Sequence, residues 1–194
     1  MFLETKNPQG TDMSETIVDT LHSDFSILLN YLTDKNEISF QNLVNDNFRK
    51  SLLLSSASYF ENALSECVYR FVVECTFERH IIAFMVRRNV IERKYHTWFE
   101  WGKSNNANSF FAIFGEEFSN YAKAYVREND SIARAIKAFL DIGTDRNRLV
   151  HQNFASFTLE KTSEEIYRDF LLAKQFVDWF PVFLKDFNAS QSSS

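Results

Sequence analysis

Only two prolines and four glycines punctuate the 194 residues of this chain. These are the residues that reverse or interrupt a backbone, so a chain this poor in them runs in long regular segments joined by short connections. The apolar residues recur at helical spacing. Ile17, Leu21, Phe25, Leu28 and Leu32 form one stripe. Leu53, Ala57, Phe60, Leu64, Cys67, Phe71 and Cys75 form a longer one. Steps of three and four place such residues on one face of a helix. No strand-period segment exceeds a few residues, and no internal repeat is visible. The expected fold class is all-α, a helical bundle of up to about six or seven helices.

Composition sets the outer limits. The chain is 45% hydrophobic and 24% charged, with 21 phenylalanines, so it can bury a substantial core. It fits one domain with short tails: a flexible lead over residues 1–13, a helical domain over 14–187 and a disordered Ser-rich tail over 188–194. The net charge of −5 and pI near 5.4 argue against a general polyanion binder, because bulk affinity for nucleic acid comes from neutralising phosphates. A concentrated local basic site stays compatible with those values. The start, MFLETKNPQG, lacks a basic-then-apolar signal pattern. No apolar run approaches the roughly 18 residues of a membrane span. Cys67 and Cys75 share one helix, where eight residues separate them by about 12 Å. That exceeds the roughly 7 Å limit for a disulfide. Two buried, reduced thiols are expected, which suits a cytoplasmic protein with no membrane association.

Local signals divide the chain. Ser14 can cap a first helix, and Asp34 to Glu37 reads as a turn. A long helix is expected over 39–75 and another over 77–95. The latter carries Arg79, Arg87, Arg88, Arg93 and Lys94 against Glu78 and Glu92, the most basic stretch of the chain. It is either a solvated helix face or a phosphate-facing patch. Residues 102–109 (GKSNNANS) form the clearest loop. Phe110, Phe114, Phe118, Tyr121 and Tyr125 make a further stripe, with Gly115 as a weak spot. Asn129 or Asp130 can cap a helix through Ile142, and Gly143 suits its left-handed C-terminal cap. Thr162 to Glu165 reads as a capping box for the last helix, which Pro181 should kink or end.

The hexad Arg146-Asn147-Arg148-Leu149-Val150-His151 carries the most chemistry. It is expected to begin a short helical turn after Gly143. On a helix, Asn147 and Arg148 lie on the same side as His151, while Arg146 sits about 140° away from it. Arg146 would share a ligand with His151 through an irregular turn, a wrapped side chain, or a second copy across a two-fold axis. Arginine clamps phosphate oxygens and stabilises a phosphorane. Histidine exchanges a proton near neutral pH, and asparagine offers a neutral donor. Those groups suffice for attack of a ribose 2′-hydroxyl on the adjacent phosphate. The alternative is an interfacial or helix-end His151, with the arginines paired to Asp141 and Asp145.

The run RNRLVH, the preceding SIARAIKAFLDIG and the final EEIYRDFLLAKQFVDWF together resemble the HEPN superfamily. The earlier SSASYFENALSECVYRF resembles the Glu-bearing second helix of the RiboL-PSP-type HEPN branch found beside defence and toxin–antitoxin systems. The resemblance covers roughly residues 14–187. It implies a two-fold dimer acting as a metal-independent endoribonuclease. It also implies products with a 2′,3′-cyclic phosphate and a 5′-hydroxyl, no cofactor, and RNA as substrate. Carried onto this chain, Arg146 binds and polarises the phosphate, Asn147 holds it, and His151 is the acid/base or orients the 2′-hydroxyl. Glu61 and Arg148 are expected in support. Arg87, Arg88, Arg93 and Lys94 are expected to bind RNA.

Glu61 borders an apolar face, where a carboxylate needs a partner; it either faces the cleft and pairs with Arg146 or His151, or forms a half-exposed salt bridge. His22, His80 and His96 show no metal-ligand spacing and read as surface or core residues. Tyr95, Trp98, Phe99 and Trp101 read as core packing or as a platform for bases. The partners implied are RNA, a second copy, and an antitoxin or other defence protein. The competing function is a non-catalytic HEPN scaffold or regulatory module.

Overall fold

The computed structural model describes residues 15–76, 81–152 and 154–191. Among these residues the regular structure is helical, with no strand. Helix α1 (Ile17–Asp34) opens on Thr16, whose hydroxyl accepts from the Asp19 amide while the Asp19 carboxylate accepts from the Thr16 amide. This reciprocal box occupies two donors that a helix start leaves free. Thr16, and not Ser14, is therefore the cap; Ser14 lies outside the described residues. A turn with Asn36 at φ 60° leads into α2 (Ile38–Thr76).

Helix α2 runs 39 residues without a break, matching the long apolar stripe. Leu53, Phe60 and Leu64 are buried along it; Cys67 is half-buried and Cys75 exposed, so only part of the expected thiol burial holds. Helix α3 (Ile81–Val86) passes into a π-helical turn (Arg87–Ile91) and a short 3-10 turn (Tyr95–Thr97). The single helix expected over 77–95 is thus interrupted, with 77–80 outside the described residues. The π turn widens the backbone ring, and the Trp98 indole N–H then bonds the Val90 carbonyl at 3.1 Å.

Helix α4 (Asn108–Ala112) takes the last two residues of the expected loop. Gly115 follows at φ 98°, and α5 (Glu116–Glu128) starts beyond it. The stripe from Phe110 to Tyr125 is therefore two helices, split where only glycine sits easily.

Helix α6 (Asp130–His151) corrects the largest misreading. It passes straight through Gly143 and contains the entire hexad, so Gly143 is no cap and no separate turn begins after it. A Cβ on Gly143 would lie 2.0 Å from a ring carbon of Trp101. The glycine is there because the indole ring of Trp101 occupies the space a side chain would need.

Helix α7 (Ser163–Gln191) begins at the expected box, with the Thr162 amide donating to Glu165 at 2.9 Å and the Glu165 amide to Thr162 at 3.2 Å. Pro181 does not end it, and Ser190 is helical where a disordered tail is expected. Helix α6 packs most extensively on α7, and α2 packs on α1, α6 and α7. The centre is a phenylalanine lattice: Phe60 of α2 lies 5.6 Å from Phe139 of α6 and 5.2 Å from Phe170 of α7, ring centre to ring centre. Offset and edge contacts of this kind add to the burial of the rings themselves.

The connector between α6 and α7 is tied back to α2. Arg49 donates to the carbonyls of Leu159 and Lys161 at 3.0 and 3.3 Å. Lys50, only 2% exposed, bonds the Phe154 carbonyl at 3.0 Å and the Asp46 carboxylate at 2.9 Å. A buried ammonium needs such partners, and here they fix the chain just beyond His151. Among the described residues no helix is long and apolar enough to cross a membrane.

Candidate functional site

The stretch of α6 from Phe139 to Asn147 forms one wall of a cavity of about 110 Å³. Ile142, Gly143, Arg146 and Asn147 face it from this helix. Their spacing of one, four and five residues puts them on one side. Ala57, Phe60 and Glu61 face it from α2. The third wall is the irregular segment after α3, which supplies Glu92, Tyr95, His96 and Trp101. Trp101 is held twice: its ring lies on Gly143, and its indole N–H donates to the His96 carbonyl at 3.0 Å.

The polar groups are unevenly satisfied. Arg146 donates to the Asn147 side-chain oxygen at 3.0 Å, and no carboxylate pairs with it among the described residues. The Glu61 side chain likewise has no hydrogen bond or ion pair among the described residues: it faces the cavity without pairing to Arg146 or His151, and the alternative half-exposed salt bridge is not formed either. Glu92 is engaged by Arg87 at 3.3 Å. Burial holds the pKa of the Tyr95 hydroxyl well above its ordinary value. The Glu61 charge adds to that shift and Arg146 opposes it. Tyr95 therefore stays a neutral donor in the field of both.

His151 stands apart from this cavity. Helix α6 is regular to its end, so the five residues between Arg146 and His151 turn them about 140° from each other. His151 is exposed, and its neighbours Val150 and Phe154 are 46% and 41% exposed. Arg148 is also elsewhere: it pairs with Asp145 at 3.4 Å and lies 5.8 Å over the Phe157 ring. Lys161 meets the same Asp145 at 3.1 Å and Asp169 at 3.0 Å, fastening the helix end to α7. Of the expected acid partners, Asp145 takes Arg148 while Asp141 takes Lys137 at 2.6 Å.

The fold thus joins Arg146, Asn147 and Glu61 and leaves His151 and Arg148 outside. Of the basic stretch, Arg88, Arg93 and Lys94 are exposed, and Arg87 lies 4.9 Å over the Tyr69 ring. Arg79 and His80 fall outside the described residues. His96, read from the sequence as unremarkable, lines the cavity, whereas His22 stacks on Tyr167 at 3.9 Å. Trp98 and Phe99 are buried core, but Tyr95 and Trp101 remain accessible at the wall. Nothing local in the sequence singles out His96. Gly143 was the available signal, since a glycine inside an amphipathic helix often marks the close approach of another group.

Compared with known proteins, residues 19–185 match the model of the RiboL-PSP-HEPN family. The chain belongs to the RiboL-PSP-HEPN family. No curated protein and no solved structure matches it. In this HEPN chain the family match includes both cavity-lining long helices and the whole hexad. The all-α bundle expected from the apolar stripes is the HEPN fold seen here.

Proposed function

We propose that this HEPN protein is a metal-independent endoribonuclease that works as a two-fold dimer, serving as a toxin or anti-phage effector. The observation that carries the reading is Arg146 with Asn147 at the wall of an open cavity, free of any carboxylate partner among the described residues. An unpaired guanidinium beside a neutral amide is a site for a phosphate diester. His151 lies exposed at the end of the same helix, where a second copy can reach it.

The chemistry balances without a cofactor. His151 takes the proton from a ribose 2′-hydroxyl, and that oxygen attacks the adjacent phosphorus. Arg146 stabilises the added negative charge on the phosphorane. The bond from phosphorus to the 5′-oxygen breaks, and this oxygen leaves with a proton as a 5′-hydroxyl. The other product carries a 2′,3′-cyclic phosphate. In a two-fold dimer, His151 of one copy would face Arg146 of the other, take the 2′-hydroxyl proton as the base and return it to the leaving oxygen as the acid. Asn147 holds a phosphate oxygen. Arg88, Arg93 and Lys94 hold backbone phosphates outside, with Arg87 and Arg148 as supporting charge.

A binding module is the second reading. Glu61 and Glu92 favour it, because both face the same cavity and repel a phosphate placed deep inside. Digestion of total RNA in EDTA, with product ends mapped, separates the two. Wild type should cleave and leave cyclic phosphate; His151→Ala and Arg146→Ala should lose about 100-fold or more in rate. A substrate carrying 2′-deoxyribose at the scissile position should resist. Cleavage of that substrate would sink the mechanism, and an inert wild type would favour the binding module.

A further inference from the structure

We propose that the cavity behind Arg146 is a base subsite that takes an unstacked guanine of an RNA strand, with the Glu61 carboxylate reading its Watson–Crick edge. The polymer's identity rests on the ribonuclease reading above; the preference for guanine rests on the cavity itself.

The walls divide by chemistry. Phe60, Phe139 and Trp101 form the aromatic part, while Glu61 and Arg146 stand as opposite charges on α2 and α6. An anion is excluded from the interior by Glu61 and Glu92. A planar, uncharged ring with hydrogen-bond donors is not. The space of about 110 Å³ lies below the roughly 300–1,000 Å³ of pockets that enclose whole drug-sized ligands. It suits one ring system with sugar and phosphate left outside, and Arg146 and Asn147 are where that phosphate would rest. Single-stranded RNA is read in this manner, by splayed bases stacked on aromatic rings and bonded along their edges.

The choice of base follows from the acceptor. Glu92 is occupied by Arg87, which leaves Glu61 as the carboxylate without a hydrogen bond or ion pair among the described residues. An ionised carboxylate only accepts, through two oxygens side by side. Guanine alone among the RNA bases offers two adjacent donors on its Watson–Crick edge, the ring N–H and the exocyclic amine. Adenine and cytosine set a ring acceptor beside their amine, and uracil flanks its one N–H with two carbonyls. Each of those would point a lone pair at Glu61. Tyr95, which lines the same cavity, supplies the remaining element: its hydroxyl stays protonated and can donate to the guanine carbonyl.

The test is calorimetric binding of GpG, ApA, CpC and UpU, each with a 2′-O-methyl group that blocks cleavage. Wild type should bind GpG about tenfold or more tightly than the other three, because a carboxylate that a wrong base covers and leaves unpaired penalises that base. Glu61→Gln keeps size and shape, and circular dichroism checks its fold; it should erase most of that preference while changing the other three about twofold or less. Arg146→Ala should weaken all four alike. Equal affinities in wild type, an unchanged preference in Glu61→Gln, or no binding at all would each overturn the subsite. Selective binding by a protein that cleaves no RNA would instead overturn the nuclease reading and leave the subsite standing.

Discussion

At the scale of single residues, the two cysteines show how one helix sets two chemistries. Burial pushes the Cys67 thiol up to about 11, with the neighbouring Lys185 opposing the shift. Cys75, about two turns further along the helix, is exposed. Only thiolate reacts with alkylating reagents. At pH 8, iodoacetamide should therefore modify Cys75 quickly and Cys67 at least about tenfold more slowly, as peptide mass mapping would read. Cys67 labelling should climb as pH approaches 11; equal rates at pH 8 would contradict the burial of this side chain. Single residues also mark where the sequence was readable. Arg146 and Asn147 were identifiable because their chemistry and helical spacing are local facts. His96 was not, because its place depends on a π turn and on Trp101 finding Gly143, contacts that no short window contains.

At the scale of elements, the instructive case is α6. Alanine is normally favoured over glycine inside a helix by about 1 kcal/mol. Gly143→Ala should nonetheless destabilise the protein by about 1–3 kcal/mol, since the new methyl group would overlap the Trp101 ring. Urea unfolding measures this. Combining Gly143→Ala with Trp101→Ala should cost less than the sum of the two single changes, because the overlap is gone in the pair. An additive result would mean that the ring does not rest on that backbone. The same contact explains the misplaced boundary: a glycine after a long apolar run is the ordinary mark of a helix end, and a partner 42 residues earlier overrides it. The stripe from Leu53 to Phe71 offered no such conflict. It was legible because its period, its burial and the absence of breakers agree. The segment between α3 and α4 was least legible, because side-chain bonds to carbonyls such as Trp98 to Val90 shape it.

At the scale of the whole molecule, the separation of His151 from the Arg146 cavity bears on the proposed dimer. If each site takes Arg146 from one copy and His151 from the other, two inactive variants can complement each other. Arg146→Ala and His151→Ala, unfolded together and refolded as a mixture, should regain about a quarter of wild-type cleavage, since half the dimers are mixed and each carries one whole site. Residual activity no greater than that of the separate variants would place both groups in one copy. The acidic surface need not oppose RNA in such an assembly, because Arg88, Arg93 and Lys94 are exposed on the segment that also gives Glu92, Tyr95 and His96 to the cavity.

The unbroken length of α2 has a mechanical corollary. At 1.5 Å per residue its 39 residues form a rod of roughly 58 Å. Ile38, Phe40 and Leu43 project from one end, Lys50 grips the connector beyond His151, and Glu61 sits further along the same shaft. A load applied to the protruding tip is transmitted along a stiff beam and not absorbed by a hinge. Grip and wall must therefore move in step, so whatever docks at the tip holds a lever on both ends of the chemistry.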